Sequence, residues 1–209
     1  MIRVHHLNAS RSHRVLWLLE ELALPYEIVP YQRDRKTMLA PKSLRAVHPL
    51  GKSPVVEDDG RIFAESGAII ESVLERHGNG RLAPERRSDA WYRYVYFLHY
   101  AEGSVMSPLL LKLVLNRLGP LGWPAQRYVN GQIRTHLDFM EGELGRAEWF
   151  AGPEFTAADI QMSFPVEACA SRGGLDHTRP RLTAFLEKIR ARAAYRKAIE
   201  RGGPLDFVK

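Results

Sequence analysis

The chain has 209 residues, of which 45% are hydrophobic and 26% charged, with one cysteine and a formal net charge of +6. This composition is typical of a globular protein with a buried core and excludes a disordered or fibrous chain. The length allows one large domain or two small ones. The longest apolar runs fall far short of the roughly 20 residues that cross a bilayer, and one cysteine allows no internal disulfide. We therefore expect a cytoplasmic protein without an integral membrane segment.

Most of the positive excess lies near the end of the chain, in RPRLTAFLEKIRARAAYRKAIERG (179–202). A solvated helix face is favoured over a nucleic-acid surface, because no nucleic-acid-binding motif accompanies these arginines. We expect no nucleic-acid partner.

The first 80 residues alternate between strand and helix patterns. A strand at 2–7 is followed by an amphipathic helix in SRSHRVLWLLEELAL and a β-branched, aromatic strand at 26–31. A polar stretch at 32–48 reads as loop or irregular helix. PVVED and RIFA then form a hairpin, and SGAIIESVLERHG forms a helix with Ser66 as its N-cap and Gly78 just past its end. The order β-α-β, then β-β-α, predicts a parallel crossover unit joined to a hairpin with its covering helix.

Beyond residue 80 the sequence contains helix patterns alone. We predict a first domain at 1–80, a linker at 81–87 and an all-helical domain at 88–209. Ser88 should cap a long helix that Pro108 bends or breaks. Further helices are predicted at 124–145, 155–171 and 179–199. Thr156 and Asp159 form a capping box, and loss of Asp159 should cost on the order of 1 kcal/mol by capping alone.

Several common chemistries find no support in the sequence. The eight histidines show no HExxH or paired ligand spacing, so we expect no metal. There is no GxGxxG and no Walker loop, so we expect no nucleotide cofactor. His5 and His6 read as residues decorating the first strand, and Cys169 reads as a packed small side chain in an apolar helix.

The segment NASRSHR (8–14) joins the first strand to the first helix, at the strand's carboxyl end, where α/β folds collect ligands. Ser10 and Ser12 can each cap that helix, yet two hydroxyls are more than one cap requires. A hydroxyl at the positive end of a helix can donate a hydrogen bond to a thiolate. From the residues alone, Pro54 opens a strand and its peptide bond is ordinarily trans.

Four separated pieces of the chain together resemble the cytosolic glutathione transferases: NASRSHRVLWLLEELALPYE, HPLGKSPVVEDDGRIFAES, HYAEGSVMSPLL and FTAADI. They occur in the family's order and span nearly the whole chain. The first piece further resembles the small serine-type enzymes of the fungal and bacterial branch. The resemblance implies an α/β thioredoxin-like N-terminal domain with a mixed sheet, followed by an all-α C-terminal domain.

The resemblance assigns roles to residues of the first domain. It places the sulfur of glutathione over Ser10, four residues before Arg14, with Asn8 and Ser12 as rivals for that role. It implies a cis peptide bond at Pro54 and a main-chain contact from Ser53 to the cysteinyl unit of glutathione. The remaining implied contacts are Ser66 to the γ-glutamyl carboxylate, Glu65 near the ammonium group, and Lys52 near the glycyl end.

In the helical domain the resemblance implies a homodimer in which Glu102 reaches the γ-glutamyl ammonium bound by the neighbouring subunit. A solvated position is an equally good reading of Glu102 from its spacing alone. Tyr100, Met106 and Leu110 are candidates to line an apolar electrophile pocket, although apolar stripes of this kind are more often core.

The implied function is glutathione transfer: the enzyme stabilises the glutathione thiolate for attack on a small, mostly apolar electrophile, a detoxification chemistry. Glutathione is then a co-substrate, and no resident cofactor is expected. Two alternatives stay open. One is a non-catalytic glutathione- or ligand-binding interaction protein; the other is a glutathione-dependent isomerase, peroxidase or dehalogenase.

Overall fold

The structure is a computed structural model, and it describes residues 1–205. It divides into two compact units: Met1–Ala83 together with the segment from Arg190 onward, and Pro84–Ile189. The sequence places the end of the chain in the helical domain at 88–209, whereas in the structure the segment after Ile189 belongs to the first unit. Residues 206–209 of the predicted domain lie outside the described residues.

The first unit contains a four-stranded mixed sheet. Its elements in chain order are β1 Ile2–Leu7, α1 Ser12–Glu21, β2 Tyr26–Tyr31, α2 Ser43–Val47, β3 Val55–Asp58, β4 Arg61–Ala64 and α3 Ser66–His77. The strand order is β2-β1-β3-β4. β1 is parallel to β2, and β3 is antiparallel to both β1 and β4. The predicted β-α-β and β-β-α order is confirmed, and α2 is a short helix within the stretch read as loop or irregular helix.

Helix α1 is the centre of the first unit. Its apolar residues Val15, Leu16, Leu18 and Leu19 have no exposed surface, and the helix packs against β1, α3 and the terminal helix α9, Ala193–Gly202. Burying four such side chains contributes roughly 1.5–3 kcal/mol each, which fixes α1 and the loop before it relative to the sheet.

The C-terminal region forms two helices where the sequence pattern predicts one. α8 spans Pro180–Ala191 and α9 spans Ala193–Gly202. Between them Arg192 is extended, with ψ 133°, and its guanidinium pairs with Glu21 of α1 at 2.5 Å. Arg201 and Lys197 of α9 pair with Glu20 at 2.8 and 2.7 Å. Part of the basic excess that we read as solvated is therefore used to hold α9 against α1.

The regular elements of the second unit, Pro84–Ile189, are all helical, with no strand among them. Its elements are α4 Asp89–Tyr100, a π-helical turn Ala101–Val105, α5 Met106–Arg117, a 3₁₀ turn Gly119–Gly122, α6 Trp123–Glu143, α7 Ala157–Ala168, a second π-helical turn Cys169–Gly173 and most of α8. Ser88 caps α4, accepting the Trp91 N–H at 3.1 Å, as predicted. Within residues 1–205 there is no helix long and apolar enough to cross a membrane.

The long helix changes geometry shortly before Pro108 but is not broken there, because Pro108 lies inside α5, which continues to Arg117; a bend at Pro108 stays a prediction. Proline lacks the N–H that would continue the α-helical ladder, and the π-helical turn at Ala101–Val105 lies immediately before the helix that contains Pro108. Glu102 lies inside this turn.

Candidate functional site

The loop after β1 meets the turn before β3. Ser10 Oγ lies 3.5 Å from Ser53 Oγ, although 43 residues separate the two in sequence. The antiparallel pairing of His5 with Val55 brings them together. Ser53 Oγ also accepts the Leu7 N–H at 3.2 Å and donates to the His5 carbonyl at 2.9 Å. The Ser53–Pro54 peptide bond is cis, which confirms the geometry implied by the resemblance.

Neither serine of the β1–α1 loop is the side-chain cap that local sequence predicts. Arg11 occupies the N-cap position of α1 without a side-chain cap bond, and Ser12 is already the first helical residue. Ser10 Oγ accepts the Ser12 N–H at 3.3 Å and contacts Ser12 Oγ at 2.7 Å. Ser12 Oγ in turn contacts His6 Nδ1 at 2.8 Å. The hydroxyls are thus engaged by tertiary neighbours as well as by the helix start.

The three rival side chains of this loop differ in their surroundings. Asn8 Oδ1 accepts the Arg33 N–H at 2.8 Å. Ser12 has no exposed surface, whereas Ser10 is 4% exposed and contacts Ser53. Of the three, Ser10 is therefore the candidate that lies against the turn containing the cis peptide bond.

The start of α3 holds the second group of candidates. Ser66 is the first helical residue and not the predicted N-cap, a position taken by Glu65, which has φ 68° and ψ 121°. Positive φ is unfavourable for a residue with a Cβ and is concentrated at functional sites. Arg14 Nη1 donates to Ser66 Oγ at 3.3 Å, and the Arg14 side chain is 1% exposed. A buried cation therefore lies behind the positive end of α3.

Sequence reasoning gave Arg14 no role beyond marking the resemblance. Arg14 follows Ser12 and His13 and precedes the apolar run of α1, so no local signal marks it as buried. An arginine is almost never fully buried unless it is paired. Lys52 and Glu65, by contrast, are exposed, so their charged ends face solvent in this structure.

The histidines of β1 are buried rather than decorative. His6 Nε2 lies 2.8 Å from the Gly202 carbonyl of α9, and burial lowers the pKa of His6. His5 contacts the Tyr31 hydroxyl at 2.9 Å and Glu57 at 3.1 Å. The strand pattern missed both because alternation was read from hydrophobic residues alone, while successive residues from Val4 to Leu7 are all buried.

The candidates of the second unit do not share one environment. Tyr100 is 9% exposed, its hydroxyl lies 2.6 Å from His136 Nδ1, and burial raises its pKa. Met106 is 1% exposed and Leu110 is 44% exposed. Glu102 is half-buried in the π-helical turn. Tyr100 and Met106 contribute to the core of the unit, and their part in an electrophile pocket stays a prediction, as does that of Leu110.

Within residues 1–205, no group of three or more His, Cys, Asp or Glu side chains is arranged to hold a metal ion. Cys169 is buried, and burial raises the pKa of its thiol to about 12, so this thiol is protonated at neutral pH.

Comparisons with known proteins agree on one family. Residues 4–81 match the family model described as glutathione S-transferase, N-terminal domain. The chain is 33% identical to glutathione S-transferase 1 of Saccharomyces cerevisiae, over 98% of this chain and 97% of the relative. It is 38% identical to glutathione S-transferase 3 of Schizosaccharomyces pombe, over 80% of this chain and 74% of the relative.

Solved structures extend the likeness to the whole fold. A glutathione S-transferase from Actinobacillus pleuropneumoniae is 37% identical with a TM-score of 0.89, over 100% of this chain and 96% of that chain. A sphingomonad glutathione S-transferase in complex with glutathione is 23% identical with a TM-score of 0.79, over 96% and 98% of the two chains, and shows the fold alone. The predicted fold, a thioredoxin-like domain followed by a helical region, is confirmed.

Proposed function

We propose how this chain, which belongs to the glutathione S-transferase family and is a glutathione transferase, activates its thiol substrate: Ser10 donates a hydrogen bond to the glutathione thiolate. The observation that carries the proposal is the position of Ser10. It precedes the positive end of α1 and contacts Ser53, the residue whose main chain is implied to bind the cysteinyl unit. A thiolate held there faces a hydroxyl donor and a helix N-terminus together.

The energy required is within reach of these groups. Lowering a thiol pKa of about 8.5 by roughly 2 needs about 2.7 kcal/mol of preference for the thiolate. A hydrogen bond to a charged group contributes about 1.5–3 kcal/mol, and a helix terminus adds about 0.3–1 kcal/mol. One hydrogen bond and one helix terminus therefore suffice to lower the thiol pKa, and no covalent bond between enzyme and substrate is needed. The enzyme acts by binding and orienting glutathione and by stabilising its thiolate.

The start of α3 is proposed to hold the γ-glutamyl end of glutathione. Ser66 and the first N–H groups of α3 would bind the carboxylate, an anion site of the kind that helix N-termini provide. The buried Arg14 guanidinium, bonded to Ser66 Oγ, supports this placement by adding positive charge behind the site. Exposed Glu65 would lie near the ammonium group, and exposed Lys52 near the glycyl carboxylate.

The proposal extends to assembly and to the second substrate. We expect a homodimer in which Glu102 of one subunit lies near the ammonium group bound by the other, and a small apolar electrophile as co-substrate. Partial exposure of Glu102 in a π-helical turn supports its availability, since such turns are frequent at functional sites. A cytoplasmic location and a role in detoxification belong to the same proposal.

The decisive experiment compares Ser10→Ala with the unaltered protein. We expect kcat/KM for conjugation to fall by roughly 10- to 100-fold, because the variant loses one charge-assisted hydrogen bond to the thiolate. The apparent pKa of the bound thiol should rise by about 1 to 2, while the glutathione Kd from calorimetry changes little. Ser171→Ala, at an exposed serine of the second unit, is the matched control. Unchanged turnover in Ser10→Ala would transfer the role to Asn8, Ser12 or the helix terminus.

A further inference from the structure

A continuous chain of hydrogen-bonding groups leads inward from Ser10. Ser10 Oγ lies 2.7 Å from Ser12 Oγ, Ser12 Oγ lies 2.8 Å from His6 Nδ1, and His6 Nε2 lies 2.8 Å from the Gly202 carbonyl oxygen. All four residues belong to the first compact unit, and Ser10, Ser12 and His6 are each at most 5% exposed. The short distances make each contact a hydrogen bond of ordinary geometry.

The inner end of the chain fixes where each hydrogen lies. A carbonyl oxygen only accepts, so His6 Nε2 carries the proton and Nδ1 of the neutral ring is an acceptor. Ser12 then donates its single hydroxyl hydrogen to Nδ1 at 2.8 Å, in preference to the Leu7 carbonyl at 3.4 Å. With that hydrogen used, the 2.7 Å contact between the two serines requires Ser10 to donate to Ser12, in preference to Ser53 Oγ at 3.5 Å. In the structure as it stands, Ser10 therefore offers a lone pair, and not a hydrogen, toward a thiol in the site.

This direction conflicts with the role of Ser10 as a donor to a thiolate unless the whole chain reverses. We propose that Ser10, Ser12 and His6 form a proton relay that takes the glutathione thiol proton and retains it on His6. The inference rests on the proposed function, because it concerns the same sulfur.

The step balances without any further reactant. The thiol S–H proton moves to Ser10 Oγ as the Ser10 proton moves to Ser12 Oγ and the Ser12 proton moves to His6 Nδ1. The S–H electron pair stays on sulfur, so the products are a thiolate and an imidazolium ion. After the transfer Ser10 donates to the thiolate, Ser12 donates to Ser10, and His6 donates from Nδ1 to Ser12 and from Nε2 to Gly202. Every group of the chain is hydrogen-bonded both before and after the step.

Burial disfavours a charge on His6, so the imidazolium depends on the neighbouring thiolate for its stabilisation. Burial lowers the pKa of His6 while the Gly202 carbonyl opposes that effect, so the ring is neutral before glutathione binds. The titratable neighbour is His13 of α1, whose pKa burial lowers to about 3, so it adds no competing positive charge. From α9 the contact with His6 is the Gly202 carbonyl. Ser53, in the turn before β3, lies 3.5 Å from Ser10 Oγ at the outer end of the chain.

Glycine at 202 permits the close approach of this helix end. A Cβ there would lie 2.5 Å from Leu16 Cδ1, which would have to move, and at a tight 3.3 Å from His6 Nε2. The terminal helix thus supplies a carbonyl that accepts a hydrogen bond from the imidazole and thereby sets its tautomer.

The test measures two quantities on the unaltered protein at a pH near 6.5: thiolate formation, by ultraviolet difference absorbance, and proton release, by calorimetry in buffers of different ionisation enthalpy. S-methylglutathione, which has no thiol proton, gives the baseline. We expect a thiolate band with nearly no thiol-specific proton release. A band with about one proton released per site would overturn the relay and leave the role of Ser10 standing. The absence of a band would overturn both.

Variants give an independent readout. In His6→Asn the amide oxygen still accepts from Ser12 but cannot take a proton, so the thiolate population near neutral pH should fall 10-fold or more with a small change in glutathione Kd. Ser12→Ala should have the same effect. His5→Asn, at the adjacent strand position with separate partners, is the matched control. A full thiolate band in both His6→Asn and Ser12→Ala would contradict the relay.

Discussion

At the scale of single residues, the site combines buried polar groups with an unfavourable backbone conformation. Glu65 has φ 68° at the start of α3, and the residue after it binds a buried arginine through its hydroxyl. A residue held in a sparsely populated backbone region costs about 1–3 kcal/mol, and such strained residues are concentrated at functional sites. The conformation therefore supports the assignment of Glu65 to the glutathione site.

Replacing Glu65 by glycine should separate stability from binding. We expect Glu65→Gly to raise the free energy of unfolding by roughly 1 kcal/mol, because glycine adopts positive φ without strain. The same change removes the carboxylate, so glutathione affinity should fall by about 3- to 10-fold, or roughly 1 kcal/mol. Denaturant titration and calorimetry measure the two effects.

Ala23→Gly is the control for this comparison, since Ala23 has φ 53° in the turn after α1. It should gain stability without losing affinity. Equal affinities for Glu65→Gly and the unaltered protein would remove Glu65 from the binding site.

At the scale of elements, helix start signals were reliable where the local sequence provides all the partners. Ser88 caps α4, and Thr156 and Asp159 form the predicted capping box of α7. The signals failed at α1 and α3, because the hydroxyls of Ser10 and Ser66 are held by residues distant in sequence. Local rules commonly fail at functional loops for this reason.

Asp159 of the α7 capping box also binds a residue outside the helix start. Asp159 accepts from Thr156 N–H at 2.8 Å and Thr156 Oγ1 at 3.1 Å, and also from Phe150 N–H at 2.9 Å. Since it is fully buried, Asp159→Asn leaves donors unmatched and should lower the free energy of unfolding by about 2–3 kcal/mol, above the 1 kcal/mol expected of capping alone. Asp89→Asn, in the exposed first turn of α4, should change it by less than about 0.5 kcal/mol. If denaturant titrations show equal losses of stability in Asp159→Asn and Asp89→Asn, Asp159 has no role beyond capping.

At the scale of the whole molecule, the two ends of the chain share one compact unit. α9 is held against both α1 and β1. Arg192, directly before α9, pairs with Glu21 of α1, and His13 of α1 is bonded to the Ala198 carbonyl. His6 of β1 is bonded to the Gly202 carbonyl. Burial lowers the pKa of His13 to about 3. The unfolded chain therefore binds a proton at this residue below its ordinary pKa of 6.5, while the folded chain does so only near 3.

Stability should consequently decrease as the pH falls from about 6.5 toward 3, with His13 contributing on the order of 4 kcal/mol over that interval. Asp159 acts in the opposite direction, because burial raises its pKa to about 6 and the folded chain binds that proton first. His13→Leu should therefore flatten the loss of stability at acidic pH relative to the unaltered protein, measured by denaturant titration across the interval. The control is His99→Leu, at an exposed position of α4, which should leave the pH dependence of stability unchanged. If His13→Leu shows the same pH dependence as the unaltered protein, His13 is not its source.

The sequence by itself determined the order of strands and helices in the first unit, the helical character of the second and the loop that carries the candidate hydroxyls. These features depend on hydrophobic periodicity, proline chemistry and caps, which act over a few neighbouring residues. Only the tertiary structure decided that α9 joins the first unit, that Arg14 lies behind Ser66, and that His6 continues the hydroxyl chain from Ser10. Those contacts join residues up to 196 positions apart, and burial changes the protonation of the groups involved. A local pattern contains neither the identity of a distant partner nor the loss of water around it, so such interactions arise only when the chain has folded.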